Sequence, residues 1–164
     1  ERFEKLLPVI TSEPWKIIAL CMDKSSMPMT ADERIDVATR LVNKLKDAGI
    51  KIEDIYVDPL IQPISVNIDM GVAILEAIKR IMKEFPGINT ICGLSNISYG
   101  LPARKVINRN FLTLAISSGL SGVILDPTDK KIMANLLVAK MLLGQDQFCM
   151  NFINAYQQGI IKKT

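Results

Sequence analysis

Histidine is absent from all 164 residues. That removes the commonest general base and the commonest zinc ligand, and with them most nucleophile triads and zinc sites. Cysteine is scarce. Cys21, Cys92 and Cys149 stand far apart, form no C-x-x-C pair and are too few for a disulfide framework. Each lies in an apolar context, so all three are expected to be buried free thiols of a reducing, cytoplasmic protein. In that compartment the sequon match at Asn96-Ile97-Ser98 is accidental. No apolar run approaches the roughly 20 residues of a membrane helix. No signal-peptide pattern is present either, so no membrane is expected as a partner. Charge of one sign is also lacking: 20 Lys and Arg against 17 Asp and Glu leave +3. The basic residues are scattered, with isolated pairs such as Lys130-Lys131 and Lys162-Lys163, which excludes a nucleic-acid footprint. No glycine-rich phosphate loop follows an apolar run, which argues against a nucleotide-binding fold.

Hydrophobic residues, at 49% of the chain, are plentiful enough for one globular domain with a real core. The numbered chain opens on Glu1 rather than Met, as a piece of a longer product would. Glu1 to Leu7 reads as the end of a helix closed by Pro8. Trp15 to Met22, apolar apart from Lys16, reads as a buried parallel strand followed by a loop from Asp23 through Pro28. Thr30 and Glu33 have capping-box spacing. Ile35, Ala38, Leu41, Val42, Leu45 and Ala48 then recur at helical spacing, and Gly49 suits the stop. A second strand, Ile55 to Val57, ends in Asp58-Pro59. A helix from about Asp69 to Phe85 follows, with Ile74, Ala77, Ile78, Ile81 and Met82 on its apolar face. The third strand is Ile88 to Leu94. Its helix begins near Pro102 or Ala103 and ends at Gly119. The fourth is Gly122 to Leu125, followed by a helix to about Leu143 and a last helix from about Asp146 to Gln157. These are about four parallel β/α units with right-handed crossovers, although periodicity alone also allows a doubly wound open sheet.

The stretch Gly93 to Arg109 organises the rest: a strand runs into a small, polar, turn-prone loop, and a helix leads out. Ser95 and Asn96 fall where a parallel strand ends, and ligands of parallel α/β folds bind at such ends. Ser and Asn also terminate strands and start turns without further purpose. Asp23, Asp58 and Asp126 close the other three strands. Helix capping is the favoured role for Asp126 and Asp129. Asp58 precedes Pro59 with no helix close behind, which favours a ligand contact.

Gly93-Leu94-Ser95-Asn96-Ile97-Ser98, with Arg104, Asn108-Arg109 and Phe111, then Ile124 to Asp129, resembles the methyltetrahydrofolate:corrinoid-protein methyltransferases. So do Met22-Asp23-Lys24 with Pro28, and Tyr56-Val57-Asp58-Pro59-Leu60-Ile61 with Pro63. The blocks occur in the same order at closely similar spacing. The folate module of cobalamin-dependent methionine synthase and the dihydropteroate synthases look like more distant relatives. The resemblance implies an α/β fold in which residues 1–164 are the C-terminal half, strands five to eight, of a pterin-binding TIM barrel. It implies methyl transfer between N5 of tetrahydrofolate and cobalt in a corrinoid (cobalamin) carried by a separate protein. Asp58 matches the carboxylate that holds the pterin, and Asn96 the asparagine beside N5. Gly93 and Ser95 match pocket neighbours, and Arg104 a basic residue near the folate. Tyr99 stands where some members carry glutamine. The aspartate and asparagine that the family places on its earlier strands have no equivalent here, since a complete barrel needs eight strands.

The residues permit this chemistry. Asn96 can donate and accept a hydrogen bond but cannot act as a general acid. Asp58 can accept two N–H bonds from an amino-pyrimidine edge. Arg104 or Lys105 could meet glutamate carboxylates, although a solvated helix face is the simpler reading of Lys105. Two other readings stay open: a non-catalytic half-barrel that binds or assembles with a partner half or with itself, and an inactive fragment. Four strands with one-sided helices leave two unpaired edges, so a homodimer or other self-association is expected.

Overall fold

The protein's structure, a computed structural model, describes residues 2–22 and 27–161. Helices and strands alternate: α1 Arg2–Ile10, β1 Ile17–Leu20, α2 Ala31–Asp47, β2 Ile55–Asp58, α3 Met70–Glu84, β3 Asn89–Gly93, α4 Arg104–Ser117, β4 Gly122–Ile124, α5 Lys130–Leu142 and α6 Met150–Gln157. The four strands among the described residues form one parallel sheet in the order β1-β2-β3-β4. A doubly wound sheet reverses its order at a switch point, so that alternative is excluded. Each crossover is a single helix.

The pleat sorts strand residues onto two faces. Ala19, Cys21, Ile55, Val57, Thr90 and Cys92 share one face and are buried. They pack with Ala38, Val42 and Leu45 of α2, with Ile74, Ile78 and Ile81 of α3, and with Leu112 and Ala115 of α4. Ile18, Leu20, Tyr56, Asp58, Ile91, Gly93 and Ile124 take the other face. It is open: Ile18 is 54% and Ile124 57% exposed. The register places Leu20 beside Asp58 and Ile91 beside Gly122. With Val57 beside Thr90, Asp58 comes level with Ile91 one residue on. The first residue of β4 is therefore level with the last of β1. Strands that slip past one another in this way, singly wound with helices on one side, are consistent with half of a TIM barrel.

Several expectations need correction. The first strand pairs only over Ile17–Leu20 and is buried on one side, because helices cover a single face of the sheet. Pro8 lies inside α1 and does not close it. A proline removes only its own donor, and Thr11 N still donates to Leu7 O (3.1 Å). The last helix is broken by Phe148 and Cys149, both left-handed (φ 54° and 57°), and only Met150–Gln157 is α-helical. That corner turns Cys149 outward, so this thiol is exposed while Cys21 and Cys92 are buried. Asp126 does not cap a helix. It accepts from the N–H and hydroxyl of Thr128 and shapes the turn before α5, while Asp129 caps α5 through the N–H groups of Lys131 and Ile132.

Other elements follow the local chemistry of the chain. Thr30 and Glu33 form the complete capping box of α2, and Gly49 (φ 85°) follows it in the left-handed region. No helix among the described residues is long and apolar enough to cross a membrane.

Candidate active site

All four strands are parallel, so their C-terminal ends share one rim. Asp58 stands there at the end of β2. Its carboxylate accepts the N–H of Leu60 (2.9 Å), a short-range bond that stabilises the left-handed backbone at Leu60 (φ 58°). Beneath the corner lies Arg34, fully buried. Its Nε donates to Pro59 O (2.8 Å) and its Nη1 to Thr30 O (2.9 Å), while Nη2 lies 3.6 Å from Met70 Sδ. No carboxylate among the described residues pairs with this guanidinium. It ties the start of α2 to the corner that carries Asp58.

Burial pushes the Asp58 carboxyl above the ordinary aspartate range, and the Leu60 N–H opposes this only in part. A carboxyl raised on folding holds its proton more tightly in the native state. Its ionisation therefore opposes folding above its native pKa, and the penalty disappears as pH falls through that pKa. Burial, reinforced by the Asp58 charge, also pushes the Cys21 and Cys92 thiols up to about 12. Both remain thiols at neutral pH, which excludes thiolate chemistry there. No group of acidic or thiol side chains among the described residues is arranged to hold a metal ion.

Gly93 ends β3, and a 3-10 turn, Leu94–Ser98, follows. Leu94, Ile97 and Ser98 are buried, while Ser95 and Asn96 face solvent. The turn is thus anchored by its apolar members and presents its polar ones. Asn96 Nδ2 lies 3.8 Å from where a Cβ on Gly93 would stand, so the amide folds back over the end of β3. Two bonds from the loop after β2 reach the same turn. Ile64 N donates to Ile97 O (3.1 Å) and Ser65 Oγ to Tyr99 O (2.7 Å). Arg104 donates to Ser98 Oγ (3.1 Å) and Ser95 O (2.7 Å), with its guanidinium carbon 5.9 Å from the centre of the Tyr99 ring.

Asp58, Gly93, Ser95 and Asn96 therefore come together on the rim of two adjacent strands. The loops that carry them are latched to each other. Arg104 lies nearby with its guanidinium engaged by the turn. Asp23 lies outside the described residues. Sequence reasoning missed Arg34, although a signal existed: it falls on the buried stripe of α2 with Ala38, Leu41 and Leu45. A neighbouring cavity of about 270 Å³ lies between the ends of β3 and β4, lined by Leu94, Ser95, Lys105, Asn108 and Asp126 among others.

A singly wound parallel sheet with polar side chains at its C-terminal rim has the layout in which parallel β/α folds carry their ligand sites. Residues 1–126 match the family described as pterin binding enzyme, and the chain belongs to that family. It is 31% identical, over 162 residues, to a methylcorrinoid:tetrahydrofolate methyltransferase of Eubacterium limosum, covering 98% of this chain and 60% of that protein. Methionine synthase of Mycobacterium tuberculosis (strain ATCC 25618 / H37Rv) is 32% identical over 130 residues, 75% of this chain and 11% of its own length. Methionine synthase of Mycobacterium leprae (strain TN) is 31% identical over 130 residues, with the same coverage. The chain thus spans 60% of the length of the first of these relatives and 11% of each of the other two.

Proposed function

We propose that residues 1–164 form the C-terminal half of a pterin-binding barrel domain. Its enzyme moves a methyl group between N5 of tetrahydrofolate and the cobalt of a corrinoid protein. The observation that carries this reading is that a half-buried carboxylate, Asp58, and an Asn96 amide that folds over the end of β3 stand at the ends of adjacent strands, toward the open face of the sheet. Similarity to a methylcorrinoid:tetrahydrofolate methyltransferase and to a methionine synthase supports it. The chain has no histidine, and the cobalt is assigned to the separate corrinoid protein. When that cobalt is Co(I), it supplies the nucleophile for the methyl group.

The rest of the chemistry belongs to this chain. Methyl departure leaves basicity on N5, a poor leaving group, and the protein must stabilise it as it develops. Asn96 does so by directing its amide at N5. The proton itself comes from solvent, because an amide is no acid. Asp58 accepts N–H bonds from the amino-pyrimidine edge of the pterin, each worth about 1.5–3 kcal/mol where water is excluded. Gly93 and Ser95 line the pocket.

Calorimetric titration of methyltetrahydrofolate into this chain tests the reading. Saturable binding is expected, and Asp58→Asn should weaken it about 30- to 1000-fold, as the loss of roughly 2–4 kcal/mol of charge-assisted bonding requires. Because the ionised carboxylate is the binding form, affinity should fall as pH drops through a pKa above the ordinary aspartate range. Unchanged affinity in Asp58→Asn would remove Asp58 from the site.

The open face favours a further element of the proposal, assembly. Ile18 and Ile124 are more than half exposed there, and among the described residues the outer edges of β1 and β4 have no strand beside them. A partner half-sheet, or a second copy of the chain, would cover this surface. In sedimentation the isolated chain is therefore expected to self-associate. A monomer that binds no apolar dye would contradict this.

A further inference from the structure

Arg104 begins α4 and is exposed, yet two of its three guanidinium nitrogens turn back toward the chain. Nη2 donates to Ser95 O (2.7 Å) and Nε to Ser98 Oγ (3.1 Å). Ser98 is fully buried, and its hydroxyl donates in turn to Ser95 O (3.2 Å). The Ser95 carbonyl thus accepts twice. It belongs to the peptide that joins Ser95 to Asn96, so those two bonds fix the plane from which Asn96 departs. The far side of the turn is held by Ile64 and Ser65 through the carbonyls of Ile97 and Tyr99. Arg104 can reach back because Ala103 before it is left-handed (φ 52°), which bends the chain sharply at the helix start. A non-glycine residue in that region costs about 1–2 kcal/mol and persists only where its surroundings over-determine it. No side chain caps this helix start, and the Arg104 guanidinium instead bonds back across the bend.

We infer that Arg104 is a positioning residue for Asn96: its fork clamps the Ser95–Asn96 peptide and so aims the amide over the end of β3. This rests on the methyltransferase reading and departs from the folate contact that the family resemblance implies for this position. A fixed amide matters for the reaction because a donor stabilises developing charge only if it need not reorganise at the moment of transfer.

Two measurements decide it. The first needs no ligand: amide hydrogen exchange at Tyr99, whose N–H donates to Asn96 O (3.1 Å). In Arg104→Gln this exchange should accelerate tenfold or more, with the amides of α2 unchanged as a control for global stability. Arg104→Lys, which keeps one donor in place of the fork, should fall between. The second is methyl transfer from methyltetrahydrofolate to free cob(I)alamin. Arg104→Gln should lower kcat about 10- to 100-fold with KM little changed, and Arg104→Lys should recover part of it. Combined with Asn96→Ala, Arg104→Gln should lower the rate no further than Asn96→Ala alone, since both remove one interaction. A raised KM with unchanged kcat and unchanged Tyr99 exchange would overturn the inference and make Arg104 a folate contact. If the unaltered chain transfers no methyl group, the folate reading fails for this chain. The exchange at Tyr99 then decides alone whether Arg104 holds the turn.

Discussion

Arg34→Ala is expected to destabilise the protein by about 4 kcal/mol. The estimate joins two charge-assisted hydrogen bonds, at about 1.5–3 kcal/mol each, to a void left by a long side chain, less the relief of no longer burying a charge. The guanidinium is wholly buried and serves two backbone carbonyls, Pro59 O and Thr30 O. Without it the buried Pro59 O loses its donor where water reaches poorly, while Thr30 O, at an exposed residue, keeps only the backbone N–H of residue 34 (3.4 Å). Urea denaturation measures the loss. Arg34→Met separates the terms, because methionine fills most of the volume and donates nothing. The methionine variant should recover only the void's share, about 1–2 kcal/mol. A loss below about 1 kcal/mol for Arg34→Ala would mean that the corner at Pro59 is held by other contacts. Pterin binding should suffer beyond the loss of stability, since the Asp58–Leu60 corner relaxes once its tether is cut.

The second large effect concerns Asn96. In the proposed enzyme, Asn96→Ala should reduce methyl transfer about 100- to 1000-fold, the usual consequence of removing one preorganised donor from developing charge. Folate affinity should change by no more than about threefold, because the amide is exposed and faces N5 most strongly when N5 gains basicity. The contrast is the prediction, and single-turnover rates set beside calorimetric affinities test it. Equal losses in rate and affinity would assign Asn96 to binding alone.

The two residues differ in how they could be found. Asn96 was legible in the chain because its motif is local: a strand, a polar turn and a helix within some seventeen residues. Asp58 was legible for the same reason, as a carboxylate before proline with no helix behind it. Arg34 was hidden because its partners, Thr30 aside, are distant in the chain, and a charged residue on an apolar stripe reads as an error in the pattern. The engagement of Arg104 was equally hidden. Exposed arginines near a polar loop look like ligand contacts until the loop closes on them.

Sequence alone determined the number and order of the β/α units, the capping box of α2, the strand ends that carry polar groups, and the family resemblance. These rest on periodicity and short-range hydrogen bonding, which a chain displays along its own length. Tertiary structure decided that helices cover one face only and that β1 is half exposed. It broke the last helix at Phe148 and Cys149, brought Cys149 to the surface, buried Arg34 beneath the corner at Pro59 and folded the exposed Arg104 back onto the turn after β3. Each of those outcomes depends on what lies across a strand or beneath a corner. Burial and long-range pairing set them, and no local pattern encodes either.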